Sequence, residues 1–487
     1  MRASSLLSAS VLFTLAASTG WAAPATEDGA KAIAQGYAAY LTQGVIDKGL
    51  VSVTPQGDDY LVSWDLQKII DLAKPPPGTL TVDKFSYVLT LAGDDAWTVK
   101  SEHFPPVKFD VTTEKGKMAG TFDLSGFHLD TAYDGKLSEF LTSTALAALL
   151  SAKINVVESE GPGDIDVSEA GLAISTRGKA AQDGVDVSIV QTIKNLNETV
   201  TSSDPNGGGP LKMTFTGGAG TSEASFAALK AREIGDLWKF VVAHADEGHP
   251  PPEVKTRVGA TLPLWNDFRV SAELRDLAAD IVTPMVPVHA EMKGLAESFA
   301  MSGFAAHSYA EVGVKITDLT TKIAMLPPWS ASVQPASLDI DMKVTVDGLD
   351  QVAQLALNDP GFGGMGDLSE ATRNKIRDVV LNGHPKLTIA PGRFATPALE
   401  ISYEGEVVKD GEKPAGHFVL SANGLDKTQA LIQEIAKSIP DAQQALLALA
   451  FIKGLATTGP DGRLVWKIEF TGDGVVTING NPMPTGE

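Results

Sequence analysis

The chain has 487 residues, with 39 Lys and Arg against 60 Asp and Glu, a formal net charge of −21 and 43% hydrophobic residues. That charge repels phosphate backbones and anionic headgroups, which argues against nucleic-acid binding and charge-driven membrane docking. The absence of cysteine excludes disulfides, thiol catalysis, thiolate metal sites and a lipoprotein anchor.

The first residues read as an export signal. Arg2 gives a short basic region, residues 6–17 an apolar one, and Gly20-Trp21-Ala22 a small-residue cleavage site. Cutting after Ala22 leaves a mature chain that starts at Ala23 and, having lost one Arg and no acid, moves from −21 to −22. The longest late apolar run, residues 445–452, is far shorter than the roughly 20 residues of a membrane span and reads as a buried helix. An outer-membrane barrel is not expected either, because apolar helices interrupt the strands and the last residues, Pro-Thr-Gly-Glu, do not form an aromatic strand. The expected location is periplasmic, without stable membrane insertion.

Residues 26–41 carry Ile33, Tyr37, Tyr40 and Leu41 on one helical stripe. Strands follow at 51–53 and 60–64, then a short helix at 67–72 ended by Pro75-Pro76-Pro77-Gly78. Beyond this the dominant period is two. Val107, Phe109 and Val111 alternate with polar residues, and Glu114-Lys115-Gly116-Lys117 turns the chain into Met118, Gly120, Phe122 and Leu124. In 337–346, Leu338, Ile340, Met342, Val344 and Val346 alternate without exception with polar residues. Further hairpins are expected at 399–407, turning at Asp410-Gly411, and at 464–470, turning at Asp473-Gly474. Helices are expected at 137–150, 225–242, 368–381 (with an Asp367/Glu370 capping box), 425–439 and 441–455. The apolar side of the sheet is the expected cover for these helices.

Asp347-Gly348-Leu349-Asp350 recurs as Asn423-Gly424-Leu425-Asp426, 76 residues later, each time between a strand and a pair of helices. The predicted fold class is α+β, with long curved antiparallel sheets, packed helix pairs and an internal duplication. The predicted division is a signal peptide at 1–22, a β-rich domain at 23–205 and an α+β domain at 206–487 with a repeated strand-helix-helix-strand unit. Its linker candidates are Ser203 to Pro210 and Gly248 to Pro252.

The signal, the alternating strands, the strand-Asn-Gly-Leu-Asp-helix unit and the segments Asp461-Gly462-Arg463-Leu464-Val465-Trp466 and Ile478-Asn479-Gly480 resemble an uncharacterised periplasmic family of alpha-proteobacterial type, loosely YdgA-like. The resemblance implies a role in the cell envelope and supplies no catalytic residues.

No catalytic constellation stands out. His244-Ala-Asp246-Glu247-Gly-His249 gathers two imidazoles and two carboxylates, but its histidines are five apart rather than the four that place zinc ligands on one helical face. A helix end, where histidine suits the dipole, is the simpler account. Gly361-Phe-Gly363-Gly364-Met-Gly366 has the glycines of a phosphate loop without the preceding strand. Ser302 lacks a nucleophile elbow, and Asp94-Asp95 and Asp339/Asp341 fit exposed acids better than a glycosidase pair. Asn197-Glu198-Thr199 matches a glycosylation acceptor that a bacterial periplasmic protein would leave unused.

The expected function is therefore that of an exported, non-enzymatic protein. It needs no cofactor and no metal, and has no assigned catalytic or ligand-binding residue. Its sharpest form is the binding of a lipid or other hydrophobic ligand in envelope maintenance. The alternatives are a scaffold that binds an envelope protein and, less favoured, a metal-dependent hydrolase at His244/His249. Periodicity does not reveal whether the apolar sheet face is open or covered.

Overall fold

The computed structural model describes residues 24–72, 78–93, 95–113, 116–158, 161–203, 210–244, 253–283, 286–361, 368–410 and 413–483. The signal peptide lies outside the described residues. So do most of both linker candidates, Pro75-Pro76-Pro77, Asp94, the Glu114-Lys115 and Gly411 turn residues, Asp367 and all but the first residue of the glycine-rich loop.

In chain order the first elements are α1 (Glu27–Leu41), α2 (Gln43–Asp47), β1 (Val51–Gln56), β2 (Asp59–Trp64), α3 (Leu66–Leu72), β3 (Gly78–Val82), β4 (Phe85–Gly93) and β5 (Ala96–Ser101). Next come β6 (Val107–Thr113), β7 (Gly116–Ser125), β8 (His128–Asp134), β9 (Glu139–Glu158), β10 (Gly161–Ala181), β11 (Gly184–Ile193) and β12 (Asn195–Ser203). β13 (Pro210–Gly217), β14 (Ala219–Leu229), α4 (Ala231–Ala243), α5 (Glu253–Thr261), β15 (Asp267–Val282), β16 (Val288–Ser302), β17 (His307–Thr317) and β18 (Thr320–Ile323) follow. The rest is β19 (Ser337–Asp347), α6 (Leu349–Leu357), α7 (Glu370–Asn382), β20 (Lys386–Ala395), β21 (Glu400–Asp410), β22 (Lys413–Asn423), α8 (Leu425–Ala436), α9 (Ala442–Gly454), β23 (Thr457–Thr458), β24 (Leu464–Phe470), β25 (Val476–Ile478) and β26 (Asn481–Pro482).

This architecture corrects the expected α+β class. Among the described residues strand accounts for 55% and helix for 24%, and the 26 strands belong to one antiparallel sheet. The clearest local reversal is 137–150. Its Ala and Leu favour a helix by propensity, yet it lies almost wholly within the 20-residue strand β9. β8 pairs with the first half of β9, β7 with its second half, and β10 runs along the other side. Pairing on both edges satisfies its backbone, and its even-numbered residues from Leu146 to Val156 give a period-two apolar face. α6 packs on α7 and α8 on α9, as hairpins between strands, whereas α1 and α2 pack on β1, α3 on β3 and α4 on β11.

The chain separates into two compact units. One comprises Met1–Leu211, Thr221–Phe268 and Pro360–Asp367, the other Lys212–Gly220, Arg269–Asp359 and Leu368–Glu487. The first unit has the aromatic core. α1 starts at an N-cap where Thr26 Oγ1 accepts Gly29 N, and it buries Ala30, Ile33, Tyr37 and Tyr40. Ile33 and Tyr37 join Val62, Tyr87, Leu89, Trp97, Val99 and Tyr133 from β2, β4, β5 and β8 in one cluster. Within it the Tyr37 and Tyr87 hydroxyls are 2.5 Å apart, and Trp64 Nε1 donates a longer bond, 3.5 Å, to Tyr87. Burial, reinforced by the neighbouring Tyr87, pushes Tyr37 well up, and burial pushes Tyr87 to about 12. Both phenols keep their protons at any physiological pH.

In the second unit the strand-helix-helix-strand order occurs as β19-α6-α7-β20 and again in 413–470 as β22-α8-α9 followed by β23 and β24. Gly348 and Gly424 occupy equivalent N-cap positions with left-handed φ of 84° and 89°, a backbone state that favours glycine and here turns strand into helix. Ser369, rather than Asp367, caps α7: its Oγ accepts Thr372 N, and it donates to the buried carboxylate of Asp359 at 2.6 Å.

Candidate functional site

Residues directly opposed on neighbouring antiparallel strands share a face, so the register maps the surface. In the second unit Phe299, Val312, Met342 and Ile389 form one row across β16, β17, β19 and β20. The row continues through Gly405, Phe418, Ile468 and Ile478. The adjacent row is Met301, Ala310, Val344 and Leu387, and it continues through Val407, Gly416, Phe470 and Val476. Neither row contains a charged side chain. Towards β22 and β24 the aromatics lie over glycines: a Cβ on Gly405 would meet the Phe418 ring, and one on Gly416 would lie 2.9 Å from Phe470 Cζ. At the β16 side the rows are partly exposed. Phe299, Val312, Met342 and Val344 are 37–43% exposed.

The reverse face is polar. Lys343 lies 3.6 Å from Glu311, Lys315 3.3 Å from Asp339 and Lys386 2.6 Å from Glu406. Asp339 and Asp341 belong to this face. Burial, then the like charges of Glu311 and Asp339, raises Asp341 against the opposing pull of Lys343.

The first unit has a comparable face. Leu80, Phe109, Gly120, Ile154, Ile165 and Val200 form a row across β3, β6, β7, β9, β10 and β12. The next row has Val107, Phe122, Ala152 and Val167 and ends at Glu198. Glu169, opposite Leu150 and Leu196, is pushed up by burial and by Glu198. Most of these side chains are half-buried.

A cleft of about 440 Å³ opens beside β15, β16 and β18, with Ile281, Val288, Ile323, Leu326 and Pro328 in its apolar wall and His289 and Lys322 among its polar groups. His289 is held at 2.6 Å from Asp280 and 3.0 Å from Glu291. The hydrogen bonds that its ring donates to Asp280, then to Glu291, raise its pKa.

The described residues among those singled out by sequence do not converge. His244 ends α4, with Nδ1 2.8 Å from Phe240 O and its ring on the Phe240 ring. Asp246, Glu247 and His249 lie outside the described residues. Ser302 Oγ accepts the backbone N–H of Tyr309 at 3.0 Å, as a strand-end contact. Among the described residues no group of three or more His, Asp or Glu side chains is placed to hold a metal ion.

Scans against protein-family models and against curated proteins find no match. A comparison with solved structures finds a likeness to the alcaligin outer membrane receptor FauA from Bordetella pertussis, at 7% identity and a TM-score of 0.23. It covers 87% of this chain and 64% of the receptor chain. A TM-score of that size does not define a common fold.

Proposed function

We propose that this is an exported, non-enzymatic protein that binds the acyl chain of a lipid on the apolar face of its second unit. The observation that carries the reading is the uncharged double row crossing β16, β17, β19 and β20, with Phe299, Val312, Met342 and Val344 left open to solvent.

Two physical points favour an acyl chain as the occupant. β17 is flanked by β16 and β19, and β19 by β17 and β20, so this face offers an occupant side chains but no free backbone partners. A peptide laid there would have unpaired backbone groups, each costing roughly 1–3 kcal/mol if desolvated, whereas a hydrocarbon has none. Four strands at about 4.8 Å spacing also extend over about 14 Å. One acyl chain of a bilayer extends over half the hydrocarbon core, about 15 Å. The cleft beside His289 falls in the size range of small-ligand sites, roughly 300–1,000 Å³.

The test is organic extraction of the purified mature protein with mass spectrometry of the extract, together with uptake of a fluorescent fatty acid. Val312→Asp and Met342→Asp each place a charge in the row and should abolish uptake. Protein that carries no lipid and takes up no probe would overturn the reading.

A further inference from the structure

In the register of β16 and β18, Val288 opposes Ile323 and His289 opposes Lys322. All four residues line the cleft of about 440 Å³. Further lining comes from the 3₁₀ helix Pro328–Ser332, which is held at its start by the Ser330 N–H bond to Pro327 O at 2.9 Å. The apolar wall is aliphatic, and among the described residues no Phe, Tyr or Trp lines it. Three charged side chains reach the cleft, and two of them are committed: His289 is bound to Asp280 at 2.6 Å, and to Glu291 outside the lining at 3.0 Å. Lys322 has no ion-pair or hydrogen-bond partner among the described residues. Ser330 is 9% exposed, yet its hydroxyl also has no hydrogen-bond partner among them. A buried hydroxyl left without a partner is costly, and one that lines a cleft points to a ligand that supplies the missing bond.

We propose that this cleft is a separate site for a medium-chain aliphatic carboxylate, with the chain against Ile281, Ile323 and Leu326 and the carboxylate accepting from Lys322 and Ser330. The lining selects that class. A flat aromatic ligand gains from a ring to stack on, and an aliphatic wall offers none. A cationic ligand would compete with His289 for Asp280, whereas an anion meets the uncommitted ammonium of Lys322. One ammonium offsets one charge, which matches a carboxylate and leaves a phosphate monoester, with about −1.5 to −2 at neutral pH, only partly compensated. At roughly 30 Å³ per water the cleft holds about fifteen waters, the space of a ligand with about ten to fifteen non-hydrogen atoms. Phe299 lies ten residues beyond His289 on β16, about 33 Å along the strand. The site is therefore distinct from the double row and does not depend on acyl-chain binding there.

The experiment is NMR of the mature full chain with labelled isoleucine methyls, titrated at pH 7 with decanoate below its micellar concentration and with decanol. Ile281→Val and Ile323→Val assign the two cleft signals. Decanoate should shift both saturably and bind about fivefold more tightly than decanol. Lys322→Gln should erase that preference, and Ala331→Trp, which fills the cleft from an exposed lining position, should abolish the shifts from both ligands. Absence of saturable shifts at Ile281 and Ile323 would overturn the proposal. So would equal affinity for decanol, or a Lys322→Gln variant that keeps the preference for decanoate. Shifts confined to Ile389 and Ile468, which belong to the double row, would overturn it as well while leaving acyl-chain binding on the sheet intact.

Discussion

The Tyr37–Tyr87 pair gives the sharpest test of the first unit's core. The two hydroxyls are 2.5 Å apart inside the cluster, and Trp64 Nε1 reaches Tyr87 at 3.5 Å. A made hydrogen bond contributes about 1 kcal/mol net, but a buried polar group left without its partner costs roughly 1–3 kcal/mol. Tyr37→Phe leaves Tyr87 with the Trp64 N–H and should cost about 1–2 kcal/mol. Tyr87→Phe deprives both the Tyr37 hydroxyl and the Trp64 indole of their partner, so it should cost about 2–4 kcal/mol. In the double variant one of these two losses is already counted, and its cost should fall short of the sum by about 1 kcal/mol or more. Urea denaturation, read by hydrogen exchange of peptides covering α1 and β4, assigns the transition to this unit. Additivity of the two single substitutions within about 0.3 kcal/mol would refute the argument, because groups that share no bond add.

Other expectations follow from the same geometry. Gly405→Ala places a Cβ against the Phe418 ring and 2.8 Å from His417 O. It should cost about 1–3 kcal/mol in thermal unfolding by overpacking, and a loss below about 0.5 kcal/mol would contradict that contact. Burial and Glu198 raise Glu169, so its carboxyl favours the fold in the protonated form. That stabilisation is present below the unfolded pKa of about 4.3 and is lost as pH rises through the folded value. Glu169→Gln should therefore raise the urea midpoint at pH 7, with the gain vanishing near pH 4; an equal gain at both pH values would rule out this origin. His289 is raised by Asp280 and then Glu291, so its contribution is present below about 6.5 and fades as pH rises through the folded pKa. Titration of the His289 ring by NMR should show that raised value and a drop in Asp280→Asn. A wild-type ring that titrates at the ordinary value would show that the clamp is absent in solution.

Local patterns carried much of the element list. The stripe of Ile33, Tyr37 and Tyr40 appears as α1, the alternation in 337–346 as β19, and the two Gly-Leu-Asp segments as left-handed N-caps opening α6 and α8. These features depend on neighbours a few residues away, which a single chain displays. The 225–242 stretch divides instead into the end of β14 and α4, because a period-two run passes directly into a helix there. β9 was illegible for a different reason: its Ala and Leu are helix formers, and only pairing with β7, β8 and β10 makes it a strand. The candidate site shows the same limit, since Val312 and Met342 sit 30 residues apart in sequence and become neighbours only through the β17–β19 register.

By itself the sequence determined an acidic, cysteine-free chain rich in amphipathic strands. Which apolar surfaces are core and which remain open was decided by tertiary structure alone. The same alternation serves both: Tyr87 and Leu89 of β4 lie under α1, while Val312 and Met342 are open to solvent. A hydrophobic period records that a surface avoids water. What covers that surface depends on where the rest of the chain folds, and over β16, β17 and β19 Val312, Met342 and Val344 stay partly exposed.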